Sequence, residues 1–227
     1  MLHVHDIVDR VPRHWAHASV VLAASEAVAE RLDGLDPQVV YCPIELDPPA
    51  APPAWPSDDR PVIGYVGRLE PRKGVTDLIA AAGHIRERVP GARIVIVGGD
   101  PYDADPAYVA AVRASRDVDH VEWVANAPGL MRHFDVLVAP SHQEPFGTVL
   151  AEAMAAGLAI VTTTSGAIPE VVRGSEADLV APGDWMGLAR ALAAGALARE
   201  PGARVAHAPA LVEHYGTAAA ARRLATA

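Results

Sequence analysis

The chain has 227 residues, an apolar fraction of 51% and a formal net charge of −9. It can therefore bury a real core, but it lacks the basic surface that a general nucleic-acid-binding protein needs. Its one cysteine, Cys42, excludes an internal disulfide framework and fits a reducing cytoplasm. No apolar run approaches the ~18 residues of a membrane span, and the first ten residues do not read as a secretory signal.

Residues 1–47 combine short apolar runs with one helical segment. The predicted strands are residues 1–8, 18–25 and 38–42, and the predicted helix is residues 26–32. This segment is too small to hold a core of its own. We expect it to pack on the rest of the chain or to be the end of a domain whose beginning is absent. A proline-rich segment follows it, and we predict a stiff linker at 48–60.

From residue 61 the sequence alternates β-branched runs with helical segments. The predicted strands are residues 61–67, 93–99, 120–126, 135–141, 158–164 and 177–183. The predicted helices are residues 74–90, 106–117, 128–134, 146–157, 168–174 and 184–200. Continuous apolar strands that alternate with helices indicate a parallel sheet covered on both faces. The predicted fold class is therefore α/β.

Charged residues and glycines follow the predicted strands at the points where the strands end. Arg68 follows the strand at 61–67, and Lys73 opens the next helix. Because the loops at the carboxyl ends of parallel strands share one edge of the sheet, these positions converge. Lys73 is the only lysine among 19 basic residues. Chance explains this equally well, but a site that faces a phosphate would favour a compact point charge.

A helix is predicted to begin just after the strand at 135–141, with Gly147 at its start. Glycine allows the backbone to approach an anion closely, and the free N–H groups of Gly147, Thr148 and Val149 would point at it. Two positive charges on the neighbouring loop, from Arg68 and Lys73, complete a set that suits a diphosphate.

Two acids flank this helix start, Glu144 before it and Glu152 about two turns inside it. Eight helical residues rise at most ~12 Å, which roughly matches a diphosphate with a sugar at one end and a ribose at the other. Two simpler interpretations remain open: Glu144 caps the helix, and Glu152 lies on a solvated helix face.

Several segments together resemble a known enzyme family. They are GYVGRLEPRKGVTDLIAAA, RIVIVGGD, DVLVAPSHQEPFGTVLAEAMAAGLAIVTTTSGAIPEVV and DLVAPGD. They look like the C-terminal half of a retaining glycosyltransferase of family four, which has the GT-B fold. The spacing of Glu144 and Glu152, and the element formed by Gly67, Arg68, Lys73 and Gly74, make the resemblance specific. It covers residues 61–227 closely.

The resemblance implies a domain organisation. Residues 1–47 would be a partial, Rossmann-like, acceptor-side domain, and residues 61–205 a Rossmann-like domain that binds a nucleotide sugar. Residues 206–227 would contain the helix that crosses back to the first domain. The family has two domains of similar size, and the glycine-rich loop of the first has no counterpart here. We therefore expect poor transfer by this chain alone, and a missing N-terminal domain or partner chain.

The resemblance also implies roles for single residues. Arg68 and Lys73 would neutralise the donor diphosphate, with Gly67 in the same element. Glu144 would contact donor-sugar hydroxyls, and Glu152 the ribose. The remaining contacts would come from the backbone of Phe146, Gly147, Thr148 and Val149 to sugar and phosphate, from Asn126 near the base, and from His5 near the donor sugar. The implied mechanism retains configuration and requires no metal, cofactor or protein nucleophile; the acceptor is unknown.

Other interpretations were weighed against this one. His5 is otherwise a surface histidine near a chain terminus. A metal site at His3, His5, His14 and His17 lacks the usual local ligand spacing. A serine hydrolase lacks its nucleophile motif, and a GT-B epimerase fits the spacing of the two acids less well. The serious alternative is a non-catalytic nucleotide-sugar-binding module that needs a partner chain.

Overall fold

The computed structural model describes residues 1–56, 58–196 and 204–226. Its strands are β1 (Leu2–Val4), β2 (Val21–Ala23), β3 (Pro37–Val39), β4 (Val62–Val66), β5 (Arg93–Val97), β6 (Asp119–Val121), β7 (Val136–Ala139), β8 (Ala159–Thr163) and β9 (Asp178–Val180). Its α-helices are α1 (Glu26–Ala29), α2 (Val75–Arg88), α3 (Pro106–Ala114), α4 (Thr148–Ala155), α5 (Ile168–Val171), α6 (Trp185–Ala191), α7 (Pro209–His214) and α8 (Thr217–Thr226). Short 3₁₀ helices lie at Arg13–His17, Pro71–Lys73 and Pro128–His133.

The larger of two parallel sheets has six strands in the order β6-β5-β4-β7-β8-β9. Within this sheet, β4 comes first along the chain, and β5 and β6 follow on one side of it. Strand β7 then pairs with the other side of β4. The strand order therefore reverses between β4 and β7, and the loops after these two strands diverge to leave a crevice at the carboxyl edge. The predicted α/β class with a parallel sheet is confirmed.

Strand β5 shows why this sheet is buried on both faces. All five of its residues are buried. Ile94 and Ile96 belong to the apolar cluster that contains α2, and Val95 and Val97 belong to the cluster that contains α4. Because successive side chains of a strand point to opposite faces, an unbroken apolar run supplies both layers.

The loops at the carboxyl edge are packed tightly. A Cβ atom on Gly98, directly after β5, would lie 1.9 Å from the carbonyl oxygen of Gly67, directly after β4. Only glycine permits this approach of two backbones. The close packing fixes the loop that carries Arg68.

The smaller sheet has three strands in the order β1-β2-β3, and each strand has three residues. Its apolar cluster contains five buried residues, Val4, Val21, Ala23, Val28 and Leu32. Ser25 caps α1 by accepting a hydrogen bond from the N–H of Val28 at 3.0 Å, and it donates one to the carbonyl of Pro145 at 2.6 Å. The cap thus also joins the two sheets' loops.

Further contacts hold residues 1–47 against the rest of the protein. The Glu170 carboxylate accepts hydrogen bonds from the backbone N–H groups of Glu26 (2.9 Å) and Ala27 (3.3 Å) at the start of α1. The Tyr41 ring stacks on Phe146 at 5.7 Å and meets the edge of Tyr215 at 5.4 Å. The expectation that this segment packs on other parts of the chain agrees with these contacts.

Several predicted boundaries were wrong. The strands predicted at 1–8, 18–25 and 120–126 are shorter, and the one predicted at 38–42 begins and ends earlier. The helix predicted at 106–117 ends at Ala114, and the helix predicted at 184–200 is α-helical only to Ala191, with a π-helical turn to Ala196. Residues 197–200 of that prediction lie outside the described residues. The closing helix predicted within 206–227 is divided into α7 and α8, which are separated at Tyr215 and Gly216, and residue 227 lies outside the described residues.

The proline-rich segment between the two sheets is packed against the larger one. Trp55 is 8% exposed and stacks on Phe134 with 5.6 Å between ring centroids. The N–H of Ala51 donates a hydrogen bond to the carbonyl of Gly129 at 3.2 Å. Within the described ranges, no helix is long and apolar enough to cross a membrane.

Candidate functional site

A cleft of about 970 Å³ lies at the carboxyl ends of β4 and β7 and is closed on one side by residues that follow β1. It is large enough for a ligand of nucleotide size. The sequence-predicted site residues that line it are His5, Gly67, Arg68, Lys73, Glu144, Phe146, Gly147, Thr148, Val149 and Glu152. Residues from loops more than 60 positions apart therefore converge in one place.

The central contact of the cleft is an ion pair. Lys73 Nζ lies 2.7 Å from Glu144 Oε2, and the two side chains are 15% and 7% exposed. Ser141 Oγ donates a second hydrogen bond to Glu144 Oε2 at 3.2 Å. Glu144 Oε1 has no hydrogen-bond partner among the residues that the structure describes. One carboxylate oxygen thus orients the lysine, and the other remains available to a ligand.

The loop that carries Glu144 is held by its backbone. The N–H of Ala167 donates a hydrogen bond to the Glu144 carbonyl at 2.9 Å, and a Cβ atom on Gly166 would lie 2.2 Å from that carbonyl oxygen. Thr163 Oγ1 donates to the carbonyl of Ser141 at 2.6 Å. Because the last residue of β8 and the loop that follows β8 anchor this segment, the carboxylate is positioned before any ligand arrives.

Helix α4 begins at the wall of the cleft. Gly147 precedes it with φ 91° and ψ 53°, in the left-handed region that favours glycine. No side chain caps this helix start. The first N–H groups of α4 are therefore available to an anion, which the helix dipole also favours.

Arg68 lies on the opposite loop. Its guanidinium is 3.3 Å from Glu70 Oε1 and lies 5.8 Å from the centroid of the exposed Tyr102 ring. The Tyr65 hydroxyl donates a hydrogen bond to the Arg68 carbonyl at 2.8 Å, which fixes the loop from below. The side chain is 35% exposed, so it can reach a ligand in the cleft.

Glu152 lies on α4 and faces the same cleft. Burial raises the pKa of its carboxyl to about 7, because the ionised form loses solvation. The side-chain carboxylate of Glu152 makes no hydrogen bond or ion pair within the described ranges. A half-buried carboxyl of this kind is suited to accept hydrogen bonds from hydroxyl groups of a ligand.

His5 is exposed at the carboxyl end of β1. Its Nδ1 lies 3.4 Å from Cys42 Sγ, and its ring centroid lies 3.8 Å from that of His3. Cys42 is a free thiol. The structure therefore places His5 in the cleft wall opposite Arg68 and Lys73, among neighbours that the sequence did not indicate.

Asn126 is the one predicted site residue that does not line the cleft. Its Nδ2 donates to the carbonyl of Pro49 at 2.8 Å, and its Oδ1 accepts from the N–H of Gly129 at 3.1 Å. Both polar atoms thus bind the linker and the following 3₁₀ helix. The neighbouring Ala125 and Ala127 do line the cleft, and the contact of Asn126 with a base stays a prediction.

Other residues also line the cleft, and among those to which sequence reasoning assigned no role are Arg72, Trp123 and Ser141. Arg72 stands beside Lys73 in a basic pair, which was a usable signal. Trp123 fell inside a strand predicted to continue to 126. Since β6 ends at Val121, its indole lies in a loop and is 57% exposed. Among the described residues, no group of three His, Cys, Asp or Glu side chains could hold a metal ion.

Several known proteins match more than half of this chain. It is 44% identical over 136 residues to glycogen synthase of Mycobacterium tuberculosis, which is 56% of this chain and 32% of that protein. It is 34% identical over 160 residues to D-inositol 3-phosphate glycosyltransferase of Segniliparus rotundus, which is 65% of this chain and 36% of that protein. The matches span about a third to a half of the length of such relatives.

Solved structures share the architecture of both sheets. The Anabaena protein HepE, crystallised with UDP and glucose, superposes with a TM-score of 0.80 at 23% identity, over 99% of this chain and 70% of that one. Sucrose-phosphate synthase from Thermosynechococcus elongatus superposes with a TM-score of 0.73 at 26% identity, over 92% of this chain and 57% of that one. The fold is that of GT-B glycosyltransferases.

Family membership follows from the match to a protein family. The glycosyl transferases group 1 family matches residues 60–195, which is more than half of the chain. This range includes both loops at the reversal of strand order, with Arg68, Lys73, Glu144 and Glu152. The protein therefore belongs to the glycosyl transferases group 1 family.

Proposed function

We propose that the protein transfers a glycosyl group from a nucleotide-diphosphate sugar to an acceptor hydroxyl with retention of configuration, as a glycosyltransferase of family four. The observation that carries the proposal is the Lys73–Glu144 ion pair beside the uncapped start of α4, inside a cleft of about 970 Å³. The complex of Anabaena HepE with UDP and glucose supports a donor of this class.

The donor diphosphate binds between the two loops. Lys73 and Arg68 neutralise its charge from one side, and the N–H groups of Gly147, Thr148 and Val149 bind its oxygens from the other. Hydrogen-bond donors that are already in place stabilise the negative charge that develops on the leaving group. Gly67 lets the first loop approach closely, and the backbone of Phe146 extends the contact toward the sugar.

The two acids bind the two ends of the donor. Glu144 Oε1, which has no partner among the described residues, accepts a hydrogen bond from a sugar hydroxyl while Oε2 keeps Lys73 in position. Glu152 accepts hydrogen bonds from the ribose. Its raised pKa means that hydroxyl binding favours the ionised form and releases a proton near neutral pH.

Transfer takes place on one face of the sugar. The bond from the anomeric carbon to the phosphate oxygen breaks, and the bond to the acceptor oxygen forms on the same face. The acceptor proton passes to the departing phosphate, so no protein nucleophile or metal takes part. His5 borders the sugar end of the cleft from the side of β1.

The acceptor and the surface that positions it belong to the proposal as well. Within the described residues, the wall opposite the donor loops consists of a sheet of three short strands. We propose that an additional N-terminal domain or a partner chain completes this wall, and that the protein acts in the cytoplasm, which its free thiol at Cys42 supports. The same small wall favours the alternative function, a nucleotide-sugar-binding module without turnover.

Calorimetry with UDP, ADP, GDP and the matching nucleosides tests the donor site. We expect one or more of the diphosphates to bind in the presence of a chelator. Lys73→Ala should weaken that binding about ten-fold or more, because a charge-assisted hydrogen bond is worth ~1.5–3 kcal/mol, and should leave nucleoside affinity unchanged. Arg86→Ala, which removes a cation bound to Asp117 away from the cleft, is the control. Equal weakening of nucleoside and diphosphate would make Lys73 structural.

A second assay distinguishes glycosyl transfer from nucleotide-sugar binding without turnover. It measures the release of nucleoside diphosphate from a panel of donor sugars, with and without acceptors. For an incomplete transferase we expect slow donor hydrolysis, since positioning of the acceptor supplies ~7–11 kcal/mol of barrier lowering in such reactions. Binding with no release would favour the binding module. Acceptor-stimulated turnover at ~1 s⁻¹ or faster would show that residues 1–47 suffice as the second wall.

A further inference from the structure

Arg72 lines the cleft beside Arg68 and Lys73 but has no part in the donor site described so far. We propose that Arg72 is a third phosphate-binding cation, and that Asp6 is an anionic competitor of the phosphate for its guanidinium. The inference rests on the proposed function, since it requires a diphosphate between the two loops.

The Arg72 guanidinium is held between two carboxylates. Its Nη1 lies 2.8 Å from Asp6 Oδ1, and its Nε lies 2.9 Å from Glu70 Oε1. The side chain is 23% exposed. A guanidinium has five N–H donors in a fixed fork, and the hydrogen bonds found within the described ranges use two of them. The remaining donors are free for a phosphate oxygen.

The charges that line this part of the cleft are balanced within the protein. Arg68 and Arg72 share Glu70, Arg72 also binds Asp6, and Lys73 binds Glu144. A diphosphate must therefore compete with carboxylates that are already present. A site of three unopposed cations would not face that competition.

Of the three carboxylates, Asp6 is the one that a phosphate group displaces most easily from its cation. Its side chain is 58% exposed, against 23% for Glu70 and 7% for Glu144. An exposed carboxylate regains its full solvation when it leaves its partner, so its ion pair contributes little net free energy. A dianionic or trianionic ligand in the cleft offers Arg72 a stronger partner. Arg72 then exchanges Asp6 for phosphate and keeps Glu70.

The exchange has a consequence for the two sheets. Asp6 follows β1 of the three-stranded sheet, and Arg72 lies between β4 and α2 of the six-stranded region. Two ion pairs that join the two regions are this one and Arg173–Glu26, at 3.4 Å. Binding of the donor diphosphate therefore releases one of the electrostatic contacts between the walls of its own cleft.

The test is the affinity of UDP, ADP and GDP, measured by calorimetry at low salt on the full chain. Asp6→Asn removes the competitor, so we expect binding to become roughly three- to five-fold tighter, with nucleoside affinity unchanged and the gain lost at high salt. Arg72→Gln should weaken the diphosphates by about ten-fold, and in the double variant the gain from Asp6→Asn should disappear. Glu26→Gln, which removes the other ion pair between the regions, should change none of these affinities.

The outcomes distinguish this inference from the proposed function. Wild-type binding with an unchanged or weaker affinity in Asp6→Asn would overturn the competitor and leave the donor site standing. A gain that persists in the double variant would mean that Asp6 acts through its general field, which also overturns the inference. Failure of the wild-type chain to bind any of the three diphosphates would overturn both.

Discussion

The six-stranded sheet places apolar side chains in two clusters, one on each face, whereas the three-stranded sheet has one small cluster of five buried residues. In β5 alone, four buried residues serve the two large clusters. The small sheet instead relies on contacts with the larger region, through Ser25 with Pro145 and the start of α1 with Glu170.

The difference shows how the cleft is built. One wall consists of loops fixed by a self-sufficient core, and it carries Arg68, Lys73, Glu144 and the start of α4. The other wall, with His5 and Asp6, is held mainly by its contacts with the first. Changes in the first wall should therefore unfold the protein, and changes between the walls should loosen the second wall alone.

The largest effect on stability is expected where two loops of the wall built on the six-stranded sheet touch. In Gly98→Ala the new methyl group would meet the Gly67 carbonyl at 1.9 Å, with no flexible side chain to move aside. We expect a loss of at least ~3 kcal/mol in the free energy of unfolding, measured by urea denaturation. Gly83→Ala is the control, because its Cβ would meet nothing within 4 Å and alanine favours a helix interior by about 1 kcal/mol. Similar free energies of unfolding for the two variants would contradict the packing described for these loops.

The next effect concerns pH and Glu152. Burial raises the folded-state pKa of this carboxyl from 4.5 to about 7, so the folded state binds the proton more strongly than the unfolded state. Its contribution to stability is thus complete below pH 4.5 and is lost as the pH rises through 7. At ~1.4 kcal/mol per unit, the loss amounts to roughly 3–4 kcal/mol. Glu152→Gln should match the wild type at low pH and exceed its stability at pH 8. Parallel pH profiles for the two proteins would rule out this burial cost.

A smaller effect is expected at the contact between the walls. Glu170→Ala leaves the N–H groups of Glu26 and Ala27 without their acceptor, at a cost of about 1–2 kcal/mol. Hydrogen exchange should speed up in β1–β3 and α1 and stay unchanged in β4–β9. Arg173→Ala, which removes only an exposed ion pair between the same regions, should change little. Uniform acceleration in both sheets would show that the protein opens as a single unit.

The smallest effect on stability is expected at His3, which lies on the wall that contains β1, His5 and Asp6. Burial and the neighbouring His5 lower its pKa from 6.5. The folded state therefore binds this proton less strongly, so the contribution to stability is present above pH 6.5 and is lost as the pH falls through the folded-state pKa. The sign is opposite to that of Glu152. His3→Gln should reduce the acid sensitivity of amide exchange in β1–β3. If the acid sensitivity of amide exchange is unchanged in this variant, groups other than His3 cause it.

Much of the fold and part of the site followed from local patterns. The apolar runs at 93–99 and 135–141 predicted buried parallel strands, because both faces of such strands are covered. The loops after the strands predicted at 61–67 and 135–141 had to share an edge of the sheet, so Arg68, Lys73 and Glu144 were expected together. Strand ends were harder to predict, since they depend on partners. Strand β6 ends at Val121 because its partner Val97 is the last residue of β5, although the apolar residues Trp123 and Val124 lie just beyond it.

What the sequence determined by itself is the order of strands and helices and the positions of the charged residues along it, because hydrophobic periodicity and glycine placement are local properties. Only the tertiary structure decided which charge meets which. Lys73 binds Glu144, 71 residues away, and Arg72 binds Asp6, 66 residues away. Asn126 faces the linker and not the cleft. Such pairings depend on distances between separate elements, and those distances are set by the packing of the whole chain.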